Sequence, residues 1–254
     1  MVLRKAKKGI VGIEAAIVLI AFVIVAAALA FVTLNMGFFT TQKSQQVIAS
    51  GLGEASSALE VDGSVLAYSE SGSTVNFMII PLKVSPGREA VDLSPKRAAI
   101  IYWLSDVGSF ADIYQYYGFI NYDNSKKAYV MTIYNSTGGE LFNDTDKNKG
   151  MNVIGTSINT TAIYQNITKA LDNHLGEDNK PDVVGILIWT DYNADDTSLD
   201  LGEKAILMVI FYDDNVKPGE YDLVKFEIKP PTGAPLTVEK TMPPGISQGV
   251  IDLG

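Results

Sequence analysis

Oxygen-bearing side chains recur at short intervals between Asp191 and Glu203. Asp191, Asn193 and Asp195 match the first, third and fifth positions of a loop whose oxygens fold around one hard cation before a glutamate closes the shell. The match is incomplete, because Asp196 replaces the glycine of the sharp turn and Glu203 stands one position late. The stretch predicts a structural calcium site, and the alternative is a solvated acidic turn between two strands. The predicted ligands are Asp191, Asn193, Asp195 and Glu203.

Asparagine side chains suggest a second kind of chemistry. Four Asn-X-Ser/Thr sequons lie within 32 residues of one another. Such a sequon accepts an N-linked glycan when it lies on the surface of an exported protein. A chain rich in Asn and Thr forms one or two sequons by chance, so the alternative is a polar, loop-rich stretch. The predicted glycan sites are Asn135, Asn143, Asn159 and Asn166.

Catalytic machinery has little support in this sequence. The chain contains no cysteine, which excludes thiol catalysis, disulfides and cysteine-bound metal. The single histidine, His174, has no nucleophile near it in sequence, and we find neither a phosphate-binding glycine motif nor a metalloprotease helix. The Tyr-rich stretch at 114–122 is interpreted as strand packing or as a contact between subunits. We expect that the protein is not an enzyme.

The charge distribution excludes nucleic acid as a partner. The formal net charge is −9, and all 29 acidic residues follow residue 9. Without residues 1–9 the chain keeps 16 basic residues, which gives a net charge of −13. Binding to a phosphate backbone requires a basic face.

The N-terminus combines positive charge with a long apolar run. Four basic residues precede Gly9, and Glu14 is the only charged residue in 10–34. At about 1.5 Å per residue this run is long enough to cross a bilayer core. It exceeds the apolar part of an ordinary secretory signal, and no clear small-residue cleavage site closes it. A permanent anchor with its N-terminus inside the cell stays open as an interpretation.

The junction Lys7-Lys8-Gly9 before Ile10, with Glu14 at the fifth position after the glycine, resembles a class III, prepilin-type signal. In proteins with this signal, a membrane aspartic protease cuts after the glycine and leaves the apolar helix on the mature chain. The resemblance implies a prepilin-peptidase-like protease as a partner and a precursor inserted in the membrane. We hypothesise that Glu14 pairs with the new α-amino group of Ile10, its own or a neighbour's. The alternative is that Glu14 complements the helix dipole from the first turn.

The helical pattern continues beyond the apolar run. Residues 35–59 contain no proline and keep spaced apolar side chains, so one helix of roughly 70 Å is predicted from Ile10 to Leu59. Gly51 and Gly53 weaken its end. A helix of this length needs lipid or copies of itself. Its many alanines and Gly12 suit close helix packing, although alanine is also simply a good helix former.

The pattern changes to short β-branched and aromatic runs after Gly63, separated by turn residues. This predicts an α+β fold, in which the long helix is followed by an antiparallel β-sandwich or barrel. A short helix is expected at Thr161–His174. The predicted strands are Val75–Val84, Arg97–Leu104, Ala128–Tyr134, Val183–Trp189, Ala205–Tyr212, Leu223–Ile228 and Leu236–Lys240.

Two further segments narrow the resemblance. The segment Ile188-Trp189-Thr190-Asp191, with Gly202-Glu203-Lys204 leading into an apolar strand, resembles archaellins, the archaeal flagellins. So does the stretch from Glu227 to Ile246, with its Pro-Thr-Gly-Ala and Pro-Gly-Ile motifs. Residues 85–180 carry no motif that we match. The family assembles with N-terminal helices in the filament core and β-domains outside, and acidic loops ending in Gly-Glu occur in it.

Three segments are therefore expected: a cleaved signal at 1–9, a polymerisation helix at 10–60 that is transmembrane before assembly, and an external β-domain at 61–254. The predicted function is a structural subunit of the extracellular archaellum filament, used for swimming motility and surface adhesion. The subunit would polymerise with itself or with other archaellins. The alternatives are a type IV adhesion pilin and a membrane-anchored surface protein whose β-domain binds a ligand.

Overall fold

The computed structural model describes residues 10–55, 59–125, 127–139, 153–155, 160–175, 180–192 and 196–254. The chain divides into two compact units, Met1–Gly53 and Glu54–Gly254. The first contains most of a single long helix, and the second, called the head below, contains the strands and a second helix.

Helix α1 spans Ile10–Ala55 and is therefore about 70 Å long. Its sequence suits a helix, because it has no proline and many alanine and leucine residues. The prediction that it continues to Leu59 is wrong. Leu59 begins the first strand, is only 1% exposed, and pairs with Val84. Burial of this leucine in the head outweighs the helical pattern that precedes it.

The head contains fifteen strands and helix α2, Thr160–Leu175, among the described residues. A 3-10 turn, Asp214–Val216, follows β12. The strands are β1 Leu59–Val61, β2 Leu66–Ser69, β3 Phe77–Val84, β4 Val91–Asp92, β5 Ala99–Leu104, β6 Gly108–Phe110, β7 Tyr114–Asp123, β8 Ala128–Asn135, β9 Val153–Gly155, β10 Val183–Asp191, β11 Ser198–Leu199, β12 Lys204–Phe211, β13 Leu223–Lys229, β14 Leu236–Thr241 and β15 Gly249–Asp252.

These strands form two principal sheets. The larger has the order β15-β2-β3-β12-β10-β7-β8-β9, with β1 also paired to β3. The smaller has the order β14-β13-β5-β6, and β4 pairs with β11 separately. Among the described residues, every strand pairing is antiparallel except that between β7 and β10. The predicted α+β class, a long apolar helix followed by antiparallel-rich sheets, is confirmed.

The two sheets enclose one apolar core, and α2 covers the other face of the larger sheet. Tyr102 and Phe226 of the smaller sheet belong to the same buried cluster as Leu207 and Trp189 of the larger. On the opposite face, Ile163 and its neighbours in α2 pack against β10 and β12. These two strands are buried on both faces, which explains their nearly continuous apolar sequence.

All seven strands predicted from the sequence are present, with ends that differ by at most two residues. The expected short helix is α2, with Ile163, Ile167 and Leu171 completely buried. The Tyr-rich stretch is β7, where Tyr114 donates a 2.6 Å hydrogen bond to the carbonyl oxygen of Leu93. Its interpretation as strand packing is confirmed.

Candidate functional site

Helix α1 presents apolar side chains to its surroundings on every side. All residues from Gly12 to Ala49 are exposed, and the large side chains of Phe22 and Phe39 are 71% and 70% exposed. This stretch is long and apolar enough to cross a membrane. Full burial of one large apolar side chain stabilises by about 1.5–3 kcal/mol, so a strong driving force favours covering this helix.

The three threonine hydroxyl groups of α1 are satisfied within the helix itself. Thr33 donates to the carbonyl oxygen of Leu29 at 3.0 Å, and Thr40 and Thr41 donate to carbonyl oxygens one turn earlier at 2.8 and 2.9 Å. Such back-bonding leaves mainly the methyl group of each threonine facing outward. The helix can therefore enter lipid or a bundle of like helices without stranding these hydroxyl groups.

Glu14 is the acidic residue within the apolar part of this helix. It is the fifth of the described residues of α1, the first of which is Ile10. Its place in the first turn of the mature helix stays a prediction. Glu14 is exposed and stands beside Ala15 and Val18. Lys7, Lys8 and Gly9 lie outside the described residues, and so does the side chain of Ile10.

The acidic loop between β10 and β12 is organised around Glu203. This glutamate is only 3% exposed, and its Oε2 accepts a 3.0 Å hydrogen bond from the backbone N–H of Asp200. The N–H of Glu203 donates in return to the carbonyl oxygen of Asp200 at 3.1 Å. Nearby, the Trp189 indole N–H donates to the carbonyl oxygen of Ser198 at 3.0 Å. The carboxylate of Glu203 thus stabilises the turn that leads into β12.

The predicted cation ligands are only partly described. Asp191 ends β10 and is exposed, whereas Asn193 and Asp195 lie outside the described residues. Among the residues that the structure describes, no three histidine or acidic side chains are grouped as a metal site. Calcium binding by this loop stays a prediction.

The two described sequons have different local structures. Asn135 ends β8, where its Oδ1 accepts hydrogen bonds from the N–H groups of Thr137 and Gly139 at 3.1 and 2.7 Å. Asn166 lies within α2, and the hydroxyl of its sequon partner Thr168 bonds to the carbonyl oxygen of Tyr164. A strand-end turn suits modification better than a helix packed on a sheet. Asn143 and Asn159 lie outside the described residues.

An ion-pair network that the sequence analysis missed joins the end of β1 to β3 and β12. The carboxylate of Asp62 lies 3.1 Å from Lys83 Nζ on β3 and 2.9 Å from Lys204 Nζ on β12. The bonds from Lys204 and then from Lys83 lower the pKa of Asp62 below its ordinary value. These partners are distant in sequence, so no local pattern could reveal them.

The head buries its apolar residues in its own core, whereas the apolar residues of α1 are exposed. This defines a class of protein: structural subunits that bury an N-terminal helix by association. Comparisons with known proteins narrow this class. The archaeal-type flagellin family matches residues 9–240. The probable flagellin 1 of Aeropyrum pernix is 39% identical over 250 residues, which cover 98% of both chains. The probable flagellin 1 of Archaeoglobus fulgidus is 29% identical over 251 residues, covering 97% of this chain and 96% of that one.

Among solved structures, the archaeal flagellum of Methanospirillum hungatei aligns with a TM-score of 0.52 and 27% identity, covering 94% of this chain and 98% of that one. The chain belongs to the archaeal-type flagellin family. It is a structural filament subunit and not an enzyme.

Proposed function

We propose that this chain polymerises with itself, or with other archaellins, into the archaellum filament at the cell surface, for swimming motility and surface adhesion. The observation that carries the proposal is the exposed apolar surface of α1 from Gly12 to Ala49. In the proposed filament, copies of residues 10–60 form the core and residues 61–254 form the outside. The family and the match to a flagellar filament support this assignment.

Shearing of cells tests this proposal. We expect the chain in the filament fraction that sediments after shearing. Recovery of the chain only in the membrane pellet, with none in sheared filaments, would contradict it and favour a membrane-anchored surface protein.

We further propose that the precursor is inserted in the membrane and is cut between Gly9 and Ile10 by a prepilin-peptidase-like protease. In support, α1 contains a stretch from Gly12 to Ala49 that is long and apolar enough to cross a bilayer. N-terminal sequencing of sheared filaments is expected to begin at Ile10. A sequence that begins at Met1, or beyond Leu34, would show that this processing does not occur.

Within the assembled core, Glu14 is proposed to pair with the α-amino group of Ile10, its own or a neighbour's. A carboxylate placed among apolar helices costs several kcal/mol unless it is paired or protonated. The change Glu14→Gln removes the charge and keeps the shape, so it should reduce assembly strongly. The change Glu14→Asp keeps the charge and serves as the matched control. Normal filament yield from Glu14→Gln would overturn the pairing.

The acidic loop is proposed to bind calcium in a structural role through Asp191, Asn193, Asp195 and Glu203. Tyrosine and tryptophan fluorescence reports only on the head, because all 12 tyrosines and both tryptophans follow residue 59. Chelation should lower the melting temperature measured by this signal, and added calcium should restore it. The variant Asp191→Asn removes the charge of one predicted ligand, so its melting temperature should respond less to calcium. An unchanged melting temperature at saturating calcium would leave the loop as a plain turn.

Glycans are proposed on the outer surface, with Asn135 as the best-placed described site and Asn143, Asn159 and Asn166 as the others. Mass spectrometry of peptides from native filaments should find a modified Asn135, and Asn135→Gln should remove that mass. An unmodified Asn135 peptide in native filaments would remove this site from the proposal.

A further inference from the structure

The outer face of the smaller sheet contains a shallow apolar groove. In β5 and β13 alternate residues point into the core, which leaves the intervening residues on the opposite face. Trp103, Ile101 and Leu223 form the apolar floor of a groove of about 390 Å³. Its remaining lining is polar and includes Lys225, Glu227 and Glu239.

The charges on this face balance one another. Lys225 lies directly opposite Trp103 on β5 and opposite Glu239 on β14. Glu227 lies 3.4 Å from Lys229 at the end of the same strand. The outward-facing positions of these strands thus carry two lysines, Lys225 and Lys229, and two glutamates, Glu227 and Glu239, and have no net charge. Residues 59–254 as a whole have 15 basic and 27 acidic residues, a formal net charge of −12.

We propose that this face, formed by Ile101, Trp103, Leu223 and Lys225, is a contact surface for the head of a second copy of this chain. The inference rests on the proposed filament, in which heads of like charge are packed around a common core. Like charges closer than the Debye length of about 8–10 Å repel one another. A neutral, apolar face with a tryptophan lets such heads approach at low electrostatic cost. The centres of protein interfaces are also typically rich in aromatic residues and poor in charged residues.

Acrylamide quenching of tryptophan fluorescence tests this contact. Trp189 is completely buried, whereas Trp103 lies partly exposed in the groove. In detergent-held full-length subunits, Trp103 should supply the quenchable part of the emission. In filaments that part should be lost, because a neighbouring head covers the groove. The variant Trp103→Phe leaves only Trp189 and should show little quenching in either state, which identifies the source of the signal.

The outcomes separate this inference from the proposed function. A failure to obtain filaments under any condition contradicts the proposed function itself. Filaments in which Trp103 is as quenchable as in the subunits overturn only the contact surface. Protection of Trp103 in filaments that appears only after soluble oligosaccharides are added also overturns it, and would identify the groove as a glycan site.

A charge change gives a second test. Lys225→Glu gives the face a net charge of −2. Filaments of this variant should therefore dissociate at a lower temperature than wild-type filaments, and high salt should reduce that difference in temperature. Lys169→Glu makes the same change at an exposed position of α2, on the other side of the larger sheet, and is the matched control. Equal dissociation temperatures for the two variants would overturn the contact.

Discussion

Helix α1 and strand β10 are both continuous apolar sequences, yet β10 is buried and α1 is exposed. The seven residues from Val183 to Trp189 are all buried, between the two-sheet core on one face and α2 on the other. The residues of α1 from Gly12 to Ala49 are all exposed. An apolar run therefore does not by itself indicate a core. What matters is whether the same chain supplies the elements that cover it.

Polar groups show the same difference. In the head, the buried hydroxyls of Tyr102 and Tyr114 donate to carbonyl oxygens far away in sequence, those of Val216 at 3.1 Å and of Leu93 at 2.6 Å. In α1, the threonine hydroxyls bond within one turn of their own helix. The head is thus stabilised by tertiary contacts within one chain. The helix bonds its threonine hydroxyls locally and leaves its apolar surface for other molecules.

Two valines of similar exposure give the largest expected contrast between these regions. Val25 in α1 is 57% exposed, and Val250 in β15 is 54% exposed. The change Val25→Asp places a charge on a surface that must enter lipid or a helical core, at a cost of several kcal/mol. It should abolish filaments, whereas Val250→Asp should allow them. Filament yield by sedimentation measures both, and normal filaments from Val25→Asp would show that this surface of α1 is not covered.

The same contrast appears between two leucines inside the head. Leu207 is completely buried in β12, and Leu201 is 58% exposed in the acidic loop. The change Leu207→Ala leaves a cavity and should destabilise the head by about 2–5 kcal/mol. The change Leu201→Ala should alter its stability by less than about 0.5 kcal/mol. Urea unfolding of full-length subunits, followed by tyrosine and tryptophan fluorescence, measures both. Similar losses for the two variants would contradict the assignment of the core.

The sequence predicted those parts of the fold whose signal lies within one segment. The uniform apolar run of α1 and the runs of β10 and β12 are long enough to identify alone. Short strands such as β1 and β11, of three and two residues, have too little periodicity to be recognised. They exist because a neighbouring strand pairs with them. The end of α1 was misplaced for the same reason, since only the tertiary structure shows that Leu59 belongs to the head.

The site residues also differ in whether a local sequence pattern could identify them. The spacing of oxygen-bearing residues identified Glu203 as unusual, and the structure places its carboxylate almost fully buried against the turn at Asp200. Residue type alone could not distinguish a cation ligand from a turn-stabilising group. The network around Asp62 gave no signal at all, because its partners lie on β3 and β12. Register and topology determine such contacts, and neither is encoded in a short motif.

Lowering the pH should produce the smallest of the predicted differences between the head and α1, because it acts on the ion-pair network around Asp62. Lys204 and Lys83 lower the pKa of this carboxylate in the folded head, so the head is stabilised at pH values above the ordinary pKa of an aspartate. That contribution is lost as the pH falls through the lowered pKa. The change Asp62→Asn should therefore destabilise the head slightly at pH 7, by less than Leu207→Ala, and the difference from wild type should vanish once the pH lies below the lowered pKa of Asp62.

Asp214 provides the matched control for this effect. Its pKa is also lowered, by the nearby Lys217, but that pair lies within one exposed turn and joins no strands. Exposed local pairs contribute little to stability, so Asp214→Asn should change the melting temperature less than Asp62→Asn at pH 7. Both are measured by head fluorescence across a pH series. Because the described residues of α1 form no such network, its helical signal should not follow this titration. A larger effect of Asp214→Asn, or a difference for Asp62→Asn that grows toward low pH, would contradict the assigned role of the strand-joining carboxylate.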